Sequence, residues 1–456
     1  MKTFTELAHN DLNSFIYGKS KNPVTTKNGI VIGNGDVYPE LNFTLPPMLI
    51  TKESMPEVLE QYRQMTEDAA KRAVDLSVPA YIVEVELLPA ATYNPDWGIE
   101  IIKTVREAMY KYETNGVKSA LRATPVDIRE DKESPHMWHG SHWDKIMDVF
   151  EGSAKAGAEL LAIESIGGKD IHDDALMYCE LDKAMFALGV LGVKDMHKLW
   201  TRITEIAGST GSIPSGDTAC GFANTAMVLA DRGFIPKVFS AVIRVVSSVR
   251  SLAAVEAGAV GPHKDCGYEG VYVKAITGIP ISMEGKSSAC AHLSSIGNIA
   301  ACVADLWSNE SVQNIKLLGG MAPTVSMEQL IYDCRLMNIA KKKSKANDLR
   351  DWLCESDSAL DPQAYVLNPE VVLRISREIL KEKTPFLRAK AAAYAAIGEI
   401  GKAIDNKEIA VKEKEYPYLD IMREQLDSIP DDEQAFTEQM LSVISSDKFV
   451  PAKYDL

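Results

Sequence analysis

From about residue 80 onward, short apolar runs alternate with stretches whose apolar positions recur every three to four residues. The first pattern belongs to strands buried on both faces, the second to amphipathic helices. The runs predict strands over 80–88, 117–122, 159–164, 212–217, 258–261, 280–283 and 314–318. Helices are predicted between them, for example over 143–156, 222–230, 238–256, 293–306 and 327–340. For the last of these, Ser326 and Gln329 form a capping box, and Lys341, Lys342, Lys343 and Lys345 suit the negative end of its dipole.

Strands alternating with helices imply βαβ units on a parallel sheet. Most repeats exceed the roughly 30 residues of a minimal barrel unit, so the expected fold is an α/β (β/α)8 TIM-type barrel with long loops. The eighth strand is expected near 363–367. An open doubly wound sheet is the structural alternative, but no GxGxxG follows the first predicted strand, so a dinucleotide fold lacks support. Residues 1–75 read as an N-terminal extension with a hairpin at Asn34-Gly35, a Pro-rich NFTLPP stretch and a polar helix around 54–75. Residues 76–345 read as the barrel core. Residues 346–456 read as a mainly helical region that adds to the barrel or completes it. Asn368-Pro369-Glu370 starts one helix there, 386–404 forms an Ala-rich second, and Tyr416 onward is acidic and more irregular.

Composition narrows the class. A chain of 456 residues with 46% hydrophobic and 25% charged residues can bury a large core without disulfide staples. A formal charge of −15 argues against non-specific nucleic-acid binding, which needs clustered cations. The N-terminus carries no apolar leader, and no apolar run of membrane-spanning length is evident, so a cytoplasmic location away from membranes is expected. Seven cysteines cannot all pair within one chain, so a disulfide framework is not expected. Some are candidate ligands; Cys179, Cys290, Cys302, Cys334 and Cys354 read as structural.

In a barrel the chemistry sits where strands end and loops begin. Glu164 closes one predicted strand, Cys220 follows a second and Cys266 a third. Each cysteine precedes a glycine, an aromatic and a helical pattern, a setting that favours the thiolate and a close backbone approach. Two thiolates and one carboxylate suit zinc, with a fourth position left for substrate. With three anionic ligands such a centre is a weaker Lewis acid than a three-histidine one. It is suited to polarising an alcohol oxygen for a strong external nucleophile. Spacing alone leaves the ordinary alternative open: a salt-bridged glutamate and two packing cysteines, with no CxxC pair to strengthen the signal.

His136, His139 and His142 recur every three residues and would share one face of a helical turn. They could bind a metal, or form a His- and Trp-lined loop over the barrel mouth, since Gly140 interrupts the helical pattern. A third possibility is that their rings line a pocket for a large planar cofactor. Asp217 and Asp265 lie within a few residues of the two cysteines and could orient them. His172, Asp173 and Asp174 follow the Glu164 strand and more simply cap the next helix. Glu284 and Lys286 follow another strand and could reach the site.

The chain resembles the zinc subunit of the methanol–corrinoid methyltransferases along nearly its whole length. The resemblance is carried by GNGDVYPELNFTLP from Gly33, AIESIGGK around Glu164, SGDTACGFANTAM around Cys220 and GPHKDCGYEG around Cys266. It implies a barrel with an N-terminal extension and added helices. It implies Glu164, Cys220 and Cys266 as zinc ligands. The implied reaction carries the methyl group of methanol to a Co(I) corrinoid, within methanogenic or acetogenic one-carbon metabolism. No DxHxxG cobalamin motif is present, so the corrinoid (cobamide) must come on a separate corrinoid protein. A homodimer core within a heteromeric complex is also implied. Alternatives are a methoxylated aromatic or another small alcohol as donor, a metal-dependent barrel lyase that needs no corrinoid, and a non-catalytic docking scaffold.

Overall fold

A computed structural model describes residues 2–44, 49–312, 316–445 and 449–456, and leaves the side chains of Asp265 and Val312 undescribed. Ten strands define the frame: β1 (Lys19–Thr25), β2 (Val31–Asn34), β3 (Tyr38–Thr44), β4 (Ala80–Glu86), β5 (Lys118–Thr124), β6 (Leu160–Ile163), β7 (Ile213–Asp217), β8 (His263–Asp265), β9 (Ile281–Glu284) and β10 (Leu306–Val312). The last eight form one parallel sheet in the order β7-β6-β5-β4-β3-β10-β9-β8. Helices after successive strands wrap its outside, including Met55–Asp75, Pro95–Glu113, Ser141–Lys155, Val193–Thr210, Lys237–Glu256, Gly270–Thr277 and Ala322–Lys342. This is the expected TIM-type barrel.

The end strands β7 and β8 meet at a seam without a regular ladder. The Val260 amide donates to the Pro214 carbonyl at 2.8 Å. Beyond the strands, the Cys266 amide donates to Thr218 Oγ1 at 3.2 Å. Gly216 lies at φ +125°, and a Cβ there would stand 2.7 Å from His263 Nδ1, so a bare backbone is what lets the strands approach.

Strand alternation sends Leu41, Phe43, Tyr81, Val83, Val85, Leu121, Ala123, Leu161 and Ile163 into the main core beneath the helices. The opposite positions face the barrel axis, and many are polar. Arg122 Nε lies 2.7 Å from Glu40 Oε1, both fully buried, and Thr124 Oγ1 donates to Glu84 at 2.6 Å. At the N-terminal end of the strands Ile30 and Ile32 pack with Ala80, Ile82, Ala120, Leu160 and Leu306. The β1–β2 hairpin thus stoppers one end of the barrel with an apolar plug and leaves the other end for chemistry.

Several expectations need correction. The hairpin turns at Asn28-Gly29, where the Thr26 amide donates to Ile30 O at 3.0 Å; Asn34-Gly35 instead links the hairpin to β3. The eighth strand is not at 363–367, where the chain is the short helix Pro362–Tyr365; it is β3, inside the segment read as an extension. The barrel is complete at β10, and the described residues beyond 345 add helices only. Strand β10 occupies 306–312, overlapping the end of a predicted helix, because its inward Ser308 and Glu310 break the apolar run that marks a doubly buried strand. Residues 314 and 315 of the strand expected at 314–318 lie outside the described residues. Among the described residues, Lys316–Leu317 pairs only with Gly320–Met321. The strand expected at 258–261 lies at His263–Asp265.

The last barrel helix starts at Ala322, so Ser326 is inside it and Gln329 accepts from Ser287 Oγ at 2.9 Å rather than closing a capping box. Tyr416 onward holds two regular helices, Pro417–Asp427 and Glu433–Val443. The Asn368 cap holds, its side chain accepting from the Glu370 amide. One helix, Lys237–Glu256, is long and apolar enough to cross a membrane by length and composition. Every residue from Val238 to Glu256 is buried within the fold.

Candidate metal centre at the barrel mouth

Three neighbouring strands deliver three side chains to one point. Glu164 directly follows β6 and is bridged to Val126 beside it. Thr218 and Ala219 carry the chain from β7 into a π-helical turn, Cys220–Asn224, that opens the helix Thr225–Asp231. Cys266 directly follows β8. One ligand atom from each of Glu164, Cys220 and Cys266 lies within 4.8 Å of the others, and no further such cluster occurs among the described residues. Cys266 Sγ is 3.5 Å from Glu164 Oε1. The cysteines are 46 residues apart in sequence, yet their Cα atoms are 5.3 Å apart and their sulfurs are bonded to each other. Two thiolates on one tetrahedral zinc stand roughly 3.8 Å apart, given Zn–S distances near 2.3 Å. A reduced pair needs only a small side-chain opening to present that spacing, so the donor set fits the metal.

Access and anchoring differ among the ligands. The Glu164 side chain keeps 32% of its surface accessible, whereas the Cys266 residue keeps 1%. Thr218 Oγ1 accepts from the amides of Cys266 and Gly267 at 3.2 and 3.3 Å. A Cβ on Gly267 would press the Ala219 carbonyl at 3.2 Å, so the glycine lets the two cysteine loops close on each other. Asn224 Nδ2 lies 3.7 Å from Cys220 Sγ.

The buried helix Lys237–Glu256 supports all three loops through two arginines. Arg250 donates to the Ser165 carbonyl at 2.7 Å, next to Glu164, and its guanidinium lies 4.4 Å over the Phe222 ring, two residues past Cys220. Arg244 donates to the Gly267 carbonyl at 3.2 Å, next to Cys266, and lies 5.7 Å over the Tyr268 ring. Charges in so apolar a helix are the sequence signal for this support, because a buried guanidinium must find several acceptors.

The interior below the site is dominated by carboxylates around one ammonium. Lys264 Nζ is 2.6 Å from Glu164 Oε1 and 3.2 Å from Glu84 Oε1, and it also pairs with Glu86. Burial opposes its charge, but Glu164, Glu84 and Glu86 overcome this and hold it protonated well above the usual lysine range. Asn42 and Thr44 donate to Glu86 at 2.7 and 3.1 Å. Burial pushes the Glu84 carboxyl up against the pull of Lys264 and Arg122. Burial also pushes the Glu284 carboxyl well up, and the negative charge of Glu310 adds to the effect.

The remaining sequence-predicted residues divide. Asp217 does not touch the ligands; buried at the end of β7, it accepts from the Ser165 amide at 3.3 Å and from Trp200 Nε1 at 3.2 Å. The side chain of Asp265 lies outside the described ones. Glu284 belongs to the interior carboxylate group, but Lys286 bonds Asp333 at 2.9 Å. His172 packs edge-on against Phe222 at 5.0 Å, and Asp173 pairs with Lys169. The three histidines do not share a helical face, because the helix begins only at Ser141, after Gly140 at φ +97°. His136 and His139 stack at 3.9 Å in the preceding loop, while His142 packs edge-on to Tyr93 at 5.6 Å. His136 Nε2 is 3.0 Å from Asp455. Cys302, Cys334 and Cys354 are buried and Cys179 half-buried, whereas Cys290 is exposed. Sequence reasoning missed Lys264, Glu84 and Glu86: alternating charges on a strand read as a solvated face unless the barrel's polar interior is known.

Residues 1–455 match the family model for the methanol-cobalamin methyltransferase B subunit, MtaB. The chain is 37% identical over 461 residues to a methanol–corrinoid protein co-methyltransferase of Methanosarcina barkeri, covering 99% of each chain. It is also similar to a chain in the crystal structure of the methanol:cobalamin methyltransferase complex MtaBC from Methanosarcina barkeri. That match has a TM-score of 0.95 and 36% identity, and covers 100% of both chains. With sequence and fold agreeing end to end, this chain belongs to the methanol-cobalamin methyltransferase B subunit family.

Proposed function

We propose that this protein transfers the methyl group of methanol to the Co(I) corrinoid of a separate corrinoid protein, with zinc held by Glu164, Cys220 and Cys266. The observation that carries the reading is the convergence of one carboxylate and two sulfurs within 4.8 Å at the catalytic end of the barrel, in a chain of this family. Zinc bound there supplies electrophilic pull on the alcohol oxygen, which methanol needs because hydroxide is a poor leaving group.

The protein's own groups prepare that chemistry. Lys264 draws charge from one oxygen of Glu164 and so offsets part of the surplus that two thiolates and a carboxylate place on a divalent ion. Thr218, Arg244 and Arg250 fix the ligand loops before substrate arrives, so little reorganisation is left for the reacting state. The accessible side of Glu164 faces the end of the barrel where methanol and the corrinoid have to meet. The segment carrying His136, His139 and His142, a loop that runs into the helix from Ser141, follows β5 at that same end, and we assign its rings to contact with the incoming corrinoid. Asp217 serves the centre indirectly, through the Ser165 amide. Asp265 is retained as an orienting residue on its position next to Cys266. The corrinoid protein docks over the barrel mouth, and two copies of this chain form the core of the complex.

The test is spectral. The zinc-loaded chain is mixed anaerobically with Co(I) cobalamin and methanol, and formation of methylcobalamin is followed by absorbance. Conversion that requires both zinc and methanol is the expected result. Conversion only with a methoxylated aromatic or another alcohol would keep the metal and replace the donor. No conversion, even with a cognate corrinoid protein, would overturn the reading in favour of a lyase or a scaffold.

A further inference from the structure

The loop that leaves Glu164 is held amide by amide. The Ser165 amide donates to Asp217 at 3.3 Å, the Ile166 amide to Asp127 at 3.0 Å, and the Gly168 amide to Glu130 at 3.1 Å. The Gly168 amide has a second, shorter acceptor at 2.7 Å: the hydroxyl of Tyr454, which comes 286 residues later in the chain. That hydroxyl also donates to Glu130 Oε1. Tyr454 therefore joins the two segments that flank Glu164, namely the stretch after β5 and the stretch after β6. The Tyr454 residue is 1% exposed.

The tail around Tyr454 is itself tied to the barrel mouth. The Met137 amide donates to the Lys453 carbonyl at 3.1 Å, and Lys453 Nζ to the Asp131 carbonyl at 3.0 Å. Asp455 lies 3.0 Å from His136 Nε2, and its carbonyl accepts from Lys194 at 3.3 Å. Rings of Phe449 and Trp138 flank the Tyr454 ring at 5.5 and 6.0 Å. Packing of the ring would hold the tail without any hydroxyl. What the hydroxyl adds is the pair of bonds that tie it to the Gly168 amide and to Glu130.

We propose that Tyr454 is a positioning residue for Glu164. Through Gly168 it fixes the backbone from 164 to 168 and so the angle at which the carboxylate meets the metal. The proposal rests on the reading of Glu164 as a metal ligand. It explains why a tail beyond the last long helix returns to the mouth of a barrel whose strands are already complete.

The experiment uses the full chain loaded with Zn(II) or Co(II), in wild type, Tyr454→Phe and Glu164→Gln. Metal affinity is measured by competition with a chromophoric chelator, the Co(II) spectrum is recorded, and thermal unfolding of the metal-free protein is followed in parallel. Tyr454→Phe keeps the ring and its neighbours. It is expected to weaken metal binding about tenfold, the scale seen when a group that orients a ligand is lost. It should shift the ligand-field bands of Co(II) and leave the thiolate charge-transfer band, because both cysteines are held by other elements. If Glu164→Gln alters affinity and bands while Tyr454→Phe matches wild type, the positioning role is overturned and the ligand reading stands. A Tyr454→Phe protein that melts earlier but binds metal as wild type overturns it too, leaving a purely structural tail. If Glu164→Gln itself matches wild type, Glu164 is not a ligand and the proposal falls with that reading.

Discussion

The ammonium of Lys264 lies 2.6 Å from Glu164 Oε1 and joins β8 to β6 across the barrel interior, with Glu84 and Glu86 of β4 on its other side. A single cation thus sits among three carboxylates beneath the proposed metal. Removing it in Lys264→Met leaves buried negative charges without a partner. At neutral pH the variant is expected to lose about 3 kcal/mol of stability, and less near pH 5, where the carboxyls take up protons. Urea unfolding at the two pH values measures both effects; an unchanged midpoint at neutral pH would show that the cluster does not depend on the lysine.

Metal loss should track the cysteines. Cys220→Ala and Cys266→Ala are each expected to fall from about one zinc per chain to near none and to lose methyl transfer, since a site cut to two protein ligands holds zinc poorly. Elemental analysis of the purified proteins gives the stoichiometry. Chelation of wild-type protein should abolish transfer and added zinc restore it. Full transfer by a metal-free variant would sink the mechanism.

Glu130 should give the pH profile of stability a definite sign. Burial lifts its carboxyl from 4.5 to about 7, with the Tyr454 hydroxyl and the Gly168 amide partly opposing the rise. A carboxyl raised on folding binds more protons in the native state, so its contribution is full below about pH 4.5 and is lost as pH rises through 7. Relative to Glu130→Gln, wild type is expected to lose about 2 kcal/mol between pH 5 and pH 8. Parallel denaturation curves at both pH values for the two proteins would mean that Glu130 is ionised throughout.

At the opposite end of the barrel, Ile32 is fully buried in the plug with Ile82 and Leu160. Ile32→Ala is expected to cost about 2–4 kcal/mol through lost burial and the cavity left behind. Its kcat per folded molecule should stay at the wild-type level, because the plug is a barrel's length from the mouth. A marked fall in kcat with zinc still bound would show that the hairpin shapes the active end.

Legibility along the chain followed the local physics. Strands β4 and β6 stood out because 80–83 and Leu160–Ile163 are bounded apolar runs, and the helix after β7 because its hydrophobic pattern is long. β3 and β10 did not, for one shared reason. Glu40 and Asn42 in β3, and Ser308 and Glu310 in β10, face a polar interior, so neither strand shows the continuous apolar run of a parallel sheet. Pro39 further disguised β3, since proline inside a run argues against a central strand.

By itself the sequence determined the periodicities, the strand ends and the residue types placed there, because these depend on neighbours along the chain. Glu164, Cys220 and Cys266 could be singled out from that information and from their family motifs. Only the tertiary structure decided that β6, β7 and β8 bring these three together across a seam. It alone placed Lys264 among carboxylates, backed the ligand loops with Arg244 and Arg250, and returned Tyr454 to Gly168. Those relationships join residues up to 286 positions apart. No local pattern encodes them, because they exist only once packing has fixed which strand ends share the same space.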